Sequence, residues 1–105
     1  MPHIQVNATC SISQTQERTL LEQLGDAISL IPGMKADYLM IRLEENCRLF
    51  FGGTGECALI EIDRFGRIPE DASQALTARI SEIVEQALGI SKDRMYLEAV
   101  PIGAG

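Results

Sequence analysis

Tryptophan is absent from this chain, and aromatic side chains amount to two tyrosines and three phenylalanines. A core must therefore be built from Leu, Ile, Val, Met and Ala. Basic residues are also scarce, 9 Lys and Arg against 15 Asp and Glu, for a net charge of −6. That balance argues against nucleic acid or an anionic membrane as partner, since both select a basic patch. There is one histidine, and the three cysteines Cys10, Cys47 and Cys57 fall at no metal-ligand spacing, so neither a zinc site nor a metal or organic cofactor is expected. No apolar run has the length of a membrane span, and no basic-then-apolar leader opens the sequence. These absences read as a soluble chain held in a reducing compartment, the cytoplasm, with any release following a route that needs no signal sequence. Apolar residues nevertheless make up 46% of 105 residues, which excludes disorder and suits a single domain over 1–105.

What is present is ordered by periodicity. Ile4, Val6 and Ala8 alternate with His3, Gln5 and Asn7, as in a strand with one buried face. Ser13 and Gln16 fit a capping box, and Leu20, Leu21, Leu24, Ala27, Ile28 and Ile31 then share one helical face up to Pro32-Gly33. Tyr38 to Leu43 reads as a second strand, followed by the apolar run Leu49-Phe50-Phe51 and the break Gly52-Gly53-Thr54-Gly55.

After the break the order repeats. Ala58, Ile60 and Ile62 alternate as a strand. Pro69-Glu70-Asp71 opens a helix whose apolar stripe is Ala72, Ala75, Leu76, Ile80, Ile83, Val84, Ala87 and Leu88, with Gly89 as its C-cap. Met95 to Val100 closes the chain as a strand. The reading is an α+β fold of two β-α-β pseudo-repeats, 1–53 and 54–105, in a four-stranded mixed sheet with both helices on one face. The other face has no cover within the chain. Val6, Met40 and Leu59 or their alternates must line it, so apolar strands on both sides predict an oligomer packed through its sheets.

Pro2 directly follows the initiator methionine, at the head of the first strand. Removal of Met1 would leave a secondary amine there, and burial lowers an amine from its ordinary range of about 7.7–8.0 toward that of a useful general base. The plainer alternative is that proline is simply a common second residue.

Met1-Pro2, Phe51-Gly52-Gly53-Thr54, Cys57-Ala58-Leu59, Gly66 and Leu88-Gly89-Ile90-Ser91-Lys92-Asp93-Arg94-Met95-Tyr96 together resemble the macrophage migration inhibitory factor branch of the tautomerase superfamily. The resemblance runs from residue 1 to about residue 100. It implies a homotrimer whose sheets line a central barrel, and keto–enol tautomerase chemistry on a small aromatic α-keto acid such as phenylpyruvate. It also implies Pro2 as catalytic base, Tyr96 supplied by a neighbouring subunit, a backbone contact at Phe65 and Tyr38 near the pocket mouth.

The departures fall at the same pocket. The family's lysine position is Met34, with Lys35 one residue later, and its asparagine position is Glu98. The family's aromatic tail has no counterpart in Pro101-Ile102-Gly103-Ala104-Gly105, and the second cysteine of its Cys-x-x-Cys is Ile60. Arg42 and Arg64 are the other cations available to a substrate carboxylate. A carboxylate at Glu98 beside the amine would favour the protonated base. The branch also contains protein-interaction and cytokine-type members acting on receptors. The alternative reading is therefore a signalling protein with vestigial catalysis, and reduced activity is expected where Met34 replaces lysine.

Overall fold

The computed structural model describes residues 2–65 and 69–102, with side chains through residue 63 and again over 69–99. Gly66, the side chains of Arg64 and Phe65, and Gly103-Ala104-Gly105 lie outside the described residues.

Four strands and two helices follow in the order β1 (His3–Ala8), α1 (Gln14–Ala27), β2 (Met40–Glu44), β3 (Ala58–Phe65), α2 (Glu70–Leu88) and β4 (Met95–Ile102). They form one sheet in the order β2-β1-β3-β4. β1 pairs parallel with β2, β3 pairs parallel with β4, and the two halves join through the antiparallel pair β1–β3. Each parallel pair encloses one helix in sequence, as a crossover requires.

Both helices start and stop where their sequences dictate. Ser13 Oγ accepts from the Gln16 N–H, and Gln16 Oε1 accepts from the Ser13 N–H, so two orphan donors of α1 are satisfied at once. α1 tightens into a 3-10 turn at Ile28–Leu30, just short of Pro32, because the residue before a proline resists helical geometry. α2 begins after Pro69 with Glu70 and Asp71 in its first turn, where the helix dipole favours acids. It ends at Gly89 with φ 74, a left-handed cap that a side chain would strain.

One layer of side chains sits between sheet and helices. Ile4, Val6 and Ala8 from β1 and Ala58, Ile60 and Ile62 from β3 meet Leu20 and Leu24 of α1 and Leu76, Ile80, Ile83 and Val84 of α2. Each of these larger side chains is essentially fully buried, worth about 1.5–3 kcal/mol apiece on the transfer scale.

Two expectations fail. The strand predicted from Tyr38 begins instead at Met40, with Ala36–Tyr38 in a 3-10 turn. The Tyr38 and Leu39 N–H groups donate to Lys35 and Ala36 carbonyls at 3.1 and 3.0 Å, so these donors are spent locally and not in a ladder. The expectation that Val6 lines the outer sheet face also fails. Val6 faces the helices with Ile4 and Ala8. Side chains alternate along a strand, so the outer face carries His3, Gln5 and Asn7, then Arg42 and Glu44, then Glu61 and Asp63. Met40 and Leu59, as expected, and Tyr96 are the apolar bodies there among the described residues.

Candidate active site

Pro2 is buried at the head of β1, and its carbonyl accepts the Met40 N–H at 3.0 Å. That bond anchors the chain start to the edge strand β2. Phe65 ends β3 on the same side of the sheet. His3 pairs with Asp63, and because β1 and β3 run antiparallel, residues after Asp63 lie alongside the chain start. The segment leading into β2 carries Met34, Lys35 and Tyr38 to this end as well. Met34 is half-buried and packs against the core, whereas Lys35 and Tyr38 are exposed.

Tyr96 is elsewhere. It pairs with Leu59, which pairs with Asn7, five residues along β1 from Pro2. At roughly 3.3 Å per residue that is about 17 Å along the strands, before two strand spacings of about 4.8 Å are crossed. Glu98 pairs with Glu61, and Glu61 with Gln5, so it lies three residues along and two strands across from Pro2. Within one chain neither side chain stands beside Pro2. The fold thus gathers Pro2, Lys35, Tyr38 and the Phe65 backbone at one end, and leaves Tyr96 at the other.

At the Tyr96 end there is a groove of about 220 Å³, lined by Leu49, Phe50, Phe51, Cys57, Leu59 and Tyr96. Phe50 is 72% exposed and Tyr96 58%. Arg94 holds the groove wall: its Nη1 donates to the Phe51 carbonyl at 2.7 Å, its Nε to the Glu56 carbonyl at 3.2 Å, and its guanidinium lies 5.5 Å from the Phe51 ring centre. Sequence reasoning missed this groove, and its one available signal was the apolar triplet beside a glycine-rich break. Its convergence with Tyr96 depends on strand register that the sequence does not display.

The outer face between the two ends is polar and internally paired. His3 Nδ1 and Asp63 Oδ2 lie 3.3 Å apart. Asn7 Nδ2 donates to the Leu59 carbonyl and Gln5 Nε2 to Asn7 Oδ1, each at 3.0 Å. Arg42 Nε donates to Glu44 Oε1 at 2.7 Å, so one of the cations considered for a substrate carboxylate is already paired. Among the described residues no cluster of three or more His, Cys, Asp and Glu side chains is arranged to hold a metal. No described helix is long and apolar enough to cross a membrane.

A family model, macrophage migration inhibitory factor, matches residues 1–105. Among solved structures, MIF2 from Leishmania major superposes with a TM-score of 0.88 at 20% identity, covering 96% of this chain and 88% of that one. Pt0534, in a form inactivated by 2-oxo-3-pentynoate, superposes at 0.84 with 19% identity over 95% of this chain and 85% of that one. A fused 4-OT described as a symmetric trimer gives 0.84 at 19% identity, again over 95% and 85%. The match of the family model over the whole chain places this protein in the macrophage migration inhibitory factor family.

Proposed function

We propose that this chain is a trimeric keto–enol tautomerase of small α-keto acids, phenylpyruvate in type, with Pro2 as its general base once Met1 is removed. The carrying observation is the burial of Pro2 at the head of β1, held by the Met40 hydrogen bond, with Lys35, Tyr38 and the Phe65 backbone at the same end of the sheet. A secondary amine held in that position has a fixed direction and reduced solvation, both of which favour proton abstraction from a carbon next to a carbonyl.

The reaction needs little else. The amine takes the α-proton, charge develops on the carbonyl oxygen as the enolate forms, and the proton returns at oxygen to give the enol. A hydrogen-bond donor near that oxygen stabilises the developing charge. Tyr96 has the hydroxyl for it, and because it lies far from Pro2 within the chain, in this reading a neighbouring copy supplies it. A trimer is also favoured by the exposed apolar bodies of Met40, Phe50, Phe51 and Tyr96, which gain most from burial between copies. Inactivation of the structural neighbour Pt0534 by an acetylenic keto acid supports the substrate class.

A second reading is a protein-interaction member with residual catalysis. Position 34 favours it, because Met34 packs against the core where the family's lysine would meet a substrate carboxylate.

The test is the rate of phenylpyruvate ketonisation and enolisation by protein whose intact mass shows that Met1 is gone. Pro2→Gly keeps an amine but loses the ring, and should lower the rate by about a hundredfold or more. A wild-type rate no greater than that of Pro2→Gly would instead support the interaction reading.

A further inference from the structure

Past the last regular pair of β1 and β2, Asn7 with Glu44, the two segments stay stitched together. The Cys47 N–H donates to the Ala8 carbonyl at 2.9 Å, and the Asn46 N–H donates to the Cys10 carbonyl at 3.0 Å. Ser11 Oγ donates to Asn46 Oδ1 at 3.0 Å, and the Ile12 N–H donates to Glu45 Oε1 at 2.8 Å. Asn46 has φ 53, a left-handed conformation that asparagine tolerates better than most residues. That turn lets two successive N–H groups reach carbonyls two residues apart on the first segment. Cys10 and Cys47 are therefore separated by one backbone hydrogen bond and one peptide unit. A disulfide needs Cα atoms roughly 4.4–6.8 Å apart, and these bonds hold the two cysteines on adjoining backbone segments.

Both thiols are free and half-exposed, Cys10 packing against the core and Cys47 Sγ lying 3.6 Å from the Glu44 carbonyl, whereas Cys57 is 2% exposed. We propose that Cys10 and Cys47 form a reversible dithiol–disulfide pair, closed by exchange with a low-molecular-weight disulfide and reopened by thiols. One protein thiolate attacks the small disulfide, giving a mixed disulfide and releasing one small thiol. The second protein thiolate then attacks the protein sulfur of that mixed disulfide and expels the other small thiol. Two protein thiols lose two electrons, the small disulfide gains them, and the two protons go to the leaving thiolates. Burial, and then the carboxylates of Glu56 and Glu45, push the Cys10 thiol up. That upward push disfavours Cys10 as the first attacker.

Closure ties the start of the segment that carries Leu49, Phe50 and Phe51 to the end of β1. The redox state thereby sets how firmly the aromatic groove wall is held. The crosslink also restrains the unfolded chain across the whole of α1, which raises thermal stability.

The experiment incubates the full chain with oxidised glutathione and maps its peptides without reduction. Expected are the loss of two hydrogens in mass, one peptide joining Cys10 to Cys47, migration as a single chain in a non-reducing denaturing gel, and a thermal midpoint several degrees higher that dithiothreitol reverses. Cys57→Ser should behave like wild type, and Cys10→Ser should stop at a glutathione adduct on Cys47. Wild type that stops at glutathione adducts on both cysteines, or that links Cys57 or two chains, overturns the proposal. The wild-type map decides this whether or not the variants fold.

Discussion

Pro2 and Tyr96 stand at opposite ends of one sheet, five residues apart along the strands and two strands apart across it. No side-chain rotation closes a gap of about 17 Å along β-structure. If both serve one pocket, each pocket takes Pro2 from one copy and Tyr96 from the next, which a mixing experiment can read. Pro2→Gly and Tyr96→Ala should each be weak alone. Refolded together in equal amounts, they should regain about a quarter of wild-type activity, because random assembly of a closed ring gives one site in four both native residues. Recovery of nothing, from a mixture shown to contain hybrid trimers, would place both residues of a pocket on one chain.

Charge at the pocket is the second matter. Under the proposed function, Met34 and Glu98 stand where the resemblance implies a lysine and an asparagine, so an anionic substrate would lose an attraction and meet an added carboxylate. Met34→Lys and Glu98→Asn should each tighten phenylpyruvate by about 1–3 kcal/mol, the size of a charge-assisted hydrogen bond, mainly through KM. The double variant should exceed either single one if both reach the same carboxylate. Met34 also packs on the core, so the lysine variant should unfold at lower denaturant even as it binds better. Steady-state kinetics at one pH and salt, beside urea titrations, separate the two effects. An unaltered KM in Met34→Lys would mean that Lys35 already serves the pocket.

Leu21 and Ile80 both belong to the apolar stripes of their helices, yet Leu21 is 43% exposed and Ile80 is 0% exposed. Ile80→Ala leaves a cavity between α2 and the sheet and should cost about 2–5 kcal/mol. Leu21→Ala should cost less than about 1 kcal/mol. Denaturant midpoints of the two variants check the contrast, provided the slopes stay equal.

The Cys10 thiol, pushed up by burial and by Glu56 and Glu45, should be alkylated with a midpoint above that of an ordinary cysteine. The sign follows from the thiol's neutral form being the one the fold prefers. Stability from this group is complete below the unfolded thiol's pKa and is lost as pH rises through the folded one. Glu56→Gln removes one of the causes, so it should shift the alkylation midpoint downward. Peptide-resolved iodoacetamide labelling across pH 7–10 measures it, and an unmoved midpoint in Glu56→Gln would leave burial and Glu45 as the causes.

Much of the architecture was legible in the order of residues. Alternation in 3–8 and 58–63 marked the two central strands, Ser13 with Gln16 the start of α1, and Gly89 the end of α2. These are local signals: a period of two or of 3.6, a cap and a left-handed glycine each act within a few residues. Pro2, Tyr96, Tyr38, Lys35 and Met34 were also legible as candidates, through short motifs. Their arrangement was not. Whether Val6 faced inward, and that the outer sheet face would be polar, depended on which set of alternates the helices covered. That Tyr38 would enter a 3-10 turn depended on carbonyls three residues back. The separation of Pro2 from Tyr96, and the pairing of the segments that carry Cys10 and Cys47, follow from register between strands far apart in sequence. Register is decided by the burial of Ile4, Val6, Ile60 and Ile62 against two helices at once, a cooperative choice of packing that no single stretch of sequence encodes.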